Sequence, residues 1–169
     1  MWTFNGQQRP KFAQEPKQDQ ESVWDYPRPP ALSDCDQLVE VKVGSEIIAR
    51  SKLSKRVLET ASPPTVYIPP CDIHFESLQR VRGSSFCEWK GEAGYWALAN
   101  SSGSAIGWSY PNPTPAFADI RDWLCFYPDR VECYLDDERV RPQEGGFYGG
   151  WVTDHLVGPW KGGPNTGHW

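Results

Sequence analysis

Sixteen Pro and fifteen Gly in a chain of 169 residues leave little room for long helices. Pro removes a backbone donor and clashes with the preceding helical turn, and Gly weakens any regular interior. What remains compatible is a set of short strands joined by turns. The chain supplies them at short spacing and without an internal repeat, which predicts an all-β, mainly antiparallel fold with one short helix.

The clearest strand is Leu38-Val39-Glu40-Val41-Lys42-Val43, where Val39, Val41 and Val43 share one face and Glu40 and Lys42 the other. Gly44-Ser45 then turns the chain into Glu46-Ile47-Ile48-Ala49-Arg50, and a leading Gly suits a two-residue type II′ loop. Val66-Tyr67-Ile68 is boxed by Pro63-Pro64 and Pro69-Pro70, so it is a short strand stopped on both sides. Asp72 after those prolines reads as the N-cap of one or two helical turns through Leu78. Residues 94–98, 105–110, 124–127 and 131–135 are further strands, and Asp136-Asp137-Glu138 is a charged hairpin turn. If residues 124–135 form a symmetric hairpin around Pro128-Asp129-Arg130, Cys125 and Cys133 face each other as two packed thiols.

These elements divide the chain into an extended arm (1–34), a core domain (35–140) and a Gly- and aromatic-rich tail (141–169). The arm is polar and rich in Gln and Pro, with Trp2, Phe4, Trp24 and Tyr26 as its docking points. Nine Trp, seven Tyr and seven Phe carry much of the apolar area. A formal charge of −5 leaves no excess of Lys and Arg for phosphates, so nucleic acid is not an expected partner. No apolar run is long enough for a membrane span, and no secretory leader is visible, so a cytoplasmic location is expected. Five Cys without a C-x-x-C pair, and three scattered His, predict reduced thiols, no metal and no cofactor.

Four segments in order carry a resemblance. They are Glu59 followed by Tyr67-Ile68-Pro69-Pro70-Cys71-Asp72; Cys87-Glu88-Trp89-Lys90-Gly91 with Tyr95-Trp96 behind it; Trp108-Ser109-Tyr110-Pro111; and Phe126-Tyr127. Over about residues 38–140 this set resembles the bacterial family catalogued as domain of unknown function 427, and Gly146 to Thr153 is similar to the tail of its longer members. Glu88 and Trp89 stand where the family pattern has Pro and Tyr. The resemblance implies a β-tent-like domain, two antiparallel sheets meeting at an angle. Many β-tent proteins hold zinc through paired C-x-x-C motifs, which this chain lacks. The family also carries a nucleotidyltransferase-like label, yet the chain shows neither a phosphate-cradling Gly loop nor paired metal-binding carboxylates.

Three functional readings stand beside plainer ones. An ammonium near a thiol favours the thiolate, so Cys87 with Lys90 reads as a catalytic pair of a thiol enzyme or redox protein; a buried structural Cys is the plain alternative. Trp108 and Tyr110 share a strand face. If that strand pairs with the one bearing Tyr95, these aromatics line a small-molecule cleft with Lys90 and Glu59 at its rim, or else form part of the core. Tyr67 and Asp72 complete the candidate ligand-binding set, Asp72 being more simply a helix cap. Third, the arm and tail suit an interaction module, including a homodimer.

Overall fold

The Val39, Val41 and Val43 alternation forms a strand in which Val39 and Val41 are fully buried. In the computed structural model, which describes residues 2–169, fifteen strands follow one another with only 3-10 turns between them. In chain order they are β1 (Glu21–Ser22), β2 (Ala31–Asp34), β3 (Val39–Val43), β4 (Glu46–Ser51), β5 (Lys55–Leu58) and β6 (Thr65–Tyr67). Then come β7 (Leu78–Cys87), β8 (Gly91–Leu98), β9 (Ala105–Ser109), β10 (Leu124–Phe126), β11 (Glu132–Leu135) and β12 (Glu138–Arg139). The tail adds β13 (Arg141–Pro142), β14 (Trp151–Val152) and β15 (Leu156–Val157).

Two four-stranded antiparallel sheets dominate, ordered β10-β9-β8-β7 and β12-β11-β3-β4, with a three-stranded sheet β2-β5-β6 beside them. β3 and β4 meet through the two-residue loop Gly44-Ser45, where Gly44 has the positive φ of +60° that the expected turn requires. One apolar cluster joins residues of all three sheets, including Val41, Ile48, Tyr67, Leu124, Phe126 and Cys133. The fold is therefore all-β and antiparallel, as expected, apart from one parallel pair, β1 with β15, that ties arm to tail.

Both ends of the chain join the fold. Val23, Trp24, Tyr26, Ala61 and Leu156 make a second cluster, with Phe4 and Trp169 packed on it. The Trp24 indole donates to the Pro159 carbonyl at 2.9 Å and meets the Trp169 ring edge-on at 5.4 Å. Glu21 of the arm accepts from Tyr26 (2.7 Å) and from Arg56 of β5 (3.1 Å), and lies 3.1 Å from His155 of the tail.

Two expectations are corrected. The helix over 72–78 is two separate 3-10 turns, Pro70–Asp72 and Phe75–Ser77, and Asp72 ends the first turn instead of capping a helix. Its carboxylate accepts from the Ser51 hydroxyl, which fixes the turn against β4. Cys125 and Cys133 do not face each other across a hairpin, because β10 pairs with β9 while β11 pairs with β3 and β12. The Arg130 and Val131 amides both donate to the Tyr127 carbonyl, a tight turn that sends the chain from one sheet to the other. The segment 82–85 lies inside β7, with a bulge between Val81 and Ser84. Strand pairing reaches into the arm, where β1 lies along β15 and β2 along β5.

Candidate functional site

β8 and β9 pair so that Tyr95 lies opposite Trp108. Tyr110 follows Trp108 by two residues and so shares its face. Tyr67 reaches the same place from β6, whose neighbour Ile68 bridges to Leu124 of β10. The Trp108 indole N–H donates to the Tyr67 hydroxyl at 3.1 Å, with the two rings at 88° and 6.2 Å between centroids. Tyr127 closes on Trp108 at 4.7 Å, and the Tyr95 and Ser85 hydroxyls are 2.6 Å apart. Burial and then the neighbouring Tyr110 push the Tyr67 phenol well above its ordinary value. Burial likewise raises Tyr110 and moves Tyr127 up to about 12. All three are therefore neutral hydroxyls near pH 7. Tyr67→Phe leaves a buried indole N–H without its acceptor, so it is expected to lower stability by about 1–3 kcal/mol, read from the urea midpoint.

The Cys87-Glu88-Trp89-Lys90-Gly91 run is the turn between β7 and β8, with Cys87 paired to Gly91. Thr114 clamps it, its amide donating to the Lys90 carbonyl at 3.0 Å and its hydroxyl to the Trp89 carbonyl at 2.6 Å. The turn thus stays fixed without the Pro of the family pattern. It leaves Cys87 half-buried and Lys90 buried, the Lys90 ammonium 5.8 Å from the centroids of both Tyr110 and Phe117.

The chain ends complete the enclosure. Gly149 lies on Trp108 so closely that a Cβ there would overlap the indole ring. Trp2 has the Arg28 guanidinium 4.3 Å and the Lys161 ammonium 4.2 Å from its ring centroid. Arg28 also pairs with Glu59 at 3.2 Å and donates to the carbonyls of Phe4 and Thr60, both at 2.9 Å. Burial, followed by the charge of Arg28, lowers the Lys161 pKa against the opposing pull of Glu59 and Glu88.

These parts surround an open cavity of about 560 Å³. Glu59, Tyr67, Cys87, Lys90, Tyr95, Trp108 and Tyr110 all line it, and Asp72 does not. Sequence reasoning placed Trp2 as a docking point and Tyr127 on a strand, and gave neither Tyr148 nor Lys161 a role; all four line the cavity. The one available signal was a lone Lys161 set among the aromatics and glycines of the tail. Among the described residues, no group of three or more His, Cys, Asp or Glu is arranged to hold a metal. Among the described residues, no helix is long and apolar enough to cross a membrane.

A family model described as "Domain of unknown function (DUF427)" matches residues 31–137. No curated protein matches the chain.

Proposed function

The chain belongs to the domain of unknown function 427 family, and on that premise we propose that it is a small-molecule-binding β domain whose ligand enters the aromatic cleft. The observation that carries this is the cavity of about 560 Å³ itself, where seven side chains drawn from residues 59–110 converge. Its volume falls in the range of ligand sites, and it combines aromatic walls with a few hydroxyls and charges. Phe86 and Phe147 line it while remaining 79% and 80% exposed, so large apolar surface waits at its edge for a partner. Two antiparallel sheets sharing one core support reading the fold as β-tent-like. Five unpaired cysteines, three of them buried, support a cytoplasmic location.

Native mass spectrometry of gently purified protein, followed by addition of a mixture of small ring compounds, tests the reading. A retained or added small mass on the native chain is expected, lost on Ser85→Trp, which fills the cleft from β7. A chain that carries nothing and takes up nothing overturns it.

Cys87 lines the same cavity and is half-buried, which favours thiol chemistry as the second reading. Iodoacetamide labelling followed against pH tests it, and a Cys87 that stays inert at mildly alkaline pH ends it. The interaction reading has less support, because Phe4, Trp24 and Trp169 pack against one another within the chain.

A further inference from the structure

We propose that the ligand of this cleft is a planar ring bearing an anionic group, a carboxylate or a phosphate, and that Lys90 holds the anion. The inference rests on the cleft being a binding site, and it follows from how charge is distributed around the cavity.

Lys90 and Lys161 both line the cavity and are only 9% and 5% exposed. Among the described residues, neither ammonium has a carboxylate within ion-pair distance. Among the described residues neither ammonium has a hydrogen-bond acceptor, and both side chains line the open cavity. Each faces aromatic rings, Tyr110 and Phe117 for Lys90 and Trp2 and Tyr148 for Lys161. A ring face compensates a desolvated cation only in part, so each site keeps capacity for an anion.

The acids do not fill that capacity. Glu59 already pairs with Arg28, and Glu88 is exposed at the turn. Arg28 and Lys161 share the Trp2 ring, so the Glu59 carboxylate held on Arg28 lies on the Lys161 side of the cavity and its charge acts there, away from Lys90. Lys90 is therefore the stronger anion holder of the two. The same arrangement argues against a cationic ligand, because the two lysines already occupy ring faces and would repel a second positive charge. The remaining aromatic walls, Tyr95 and Trp108 with Phe86 and Phe147 at the edge, suit a planar ring.

Four ring compounds of one shape test the proposal on the native chain by tryptophan fluorescence titration: naphthoate, naphthyl phosphate, naphthamide and naphthylmethylamine. At least one anion is expected to bind about tenfold or more tighter than the neutral amide, with the amine weakest. Which anion leads distinguishes a carboxylate ligand from a phosphate ligand. Lys90→Met is expected to erase the preference for the anion, and Lys161→Met to keep most of it. An amide or amine that binds as well as both anions overturns the anion proposal while leaving the cleft standing. So does a preference that survives in Lys90→Met. If none of the four compounds binds, the cleft reading itself falls and takes the proposal with it. The four-compound comparison needs no variant, so it decides even if a substitution prevents folding.

Discussion

Trp151→Ala is expected to lower the stability of the whole chain by about 3–5 kcal/mol, the range for deleting a buried indole. Trp151 belongs to the tail, yet it is 1% exposed and sits in the main apolar cluster. Its backbone amide donates to the Pro64 carbonyl at 2.8 Å, and its indole N–H donates to the Phe126 carbonyl at 3.0 Å. The substitution opens a cavity under β10 and leaves the Phe126 carbonyl short of a donor, two losses at one point. Urea unfolding reads the effect as a lower midpoint with one cooperative transition, because tail and core share the cluster. A loss below about 1 kcal/mol, typical of a surface change, sinks the idea that the tail is part of the folding unit. A separate early transition sinks it equally.

That coupling explains what was legible in the sequence and what was not. β3 could be read because Val39, Val41 and Val43 repeat every second residue, and Val39 and Val41 are fully buried. The end of β6 could be read because Pro69-Pro70 cannot continue a ladder. Tyr95, Trp108 and Tyr110 could be brought together because strand faces alternate and the two strands are neighbours along the chain. β7 was hidden for the opposite reason. Arg82-Gly83-Ser84-Ser85 has little strand propensity, and as a sheet edge it is held by pairing with β8, with few buried side chains of its own. Cys125 and Cys133 were misplaced because a short hairpin turn and a change of sheet look alike in sequence. The cleft was half visible. Its walls lie within residues 57–127, where local periodicity speaks, but Trp2, Tyr148, Gly149 and Lys161 arrive from the two ends. Nothing local to those residues says where they pack; only the arm and tail clusters decide that.

The second large effect is alkaline unfolding. Tyr26, Tyr67, Tyr110, Cys125 and Cys133 are at most 5% exposed, and burial raises each of their pKa values. For Tyr26 the hydrogen bond to Glu21 adds to the burial, and for Cys125 the nearby Cys133 does. A group that keeps its proton in the folded chain and loses it in the unfolded chain contributes fully below its ordinary pKa. That contribution is lost as pH rises toward the folded value. The ordinary values are 9.0 for Cys and 10.0 for Tyr, so the loss begins near pH 9 and steepens beyond pH 10. Each such group gives about 1.4 kcal/mol per pH unit, so five approach a slope of about 7 kcal/mol per pH unit. Against a total stability of about 5–15 kcal/mol, that unfolds the chain within about two units above pH 10. Urea midpoints measured from neutral pH upward should be level at first and then collapse, with tyrosinate absorbance rising in the same step. Midpoints that stay level while tyrosinate absorbance rises near the ordinary value overturn the account. Tyr67→Phe supplies the internal comparison: it starts less stable at neutral pH, yet its alkaline slope is shallower by about 1.4 kcal/mol per pH unit, because one buried phenol no longer holds its proton through folding.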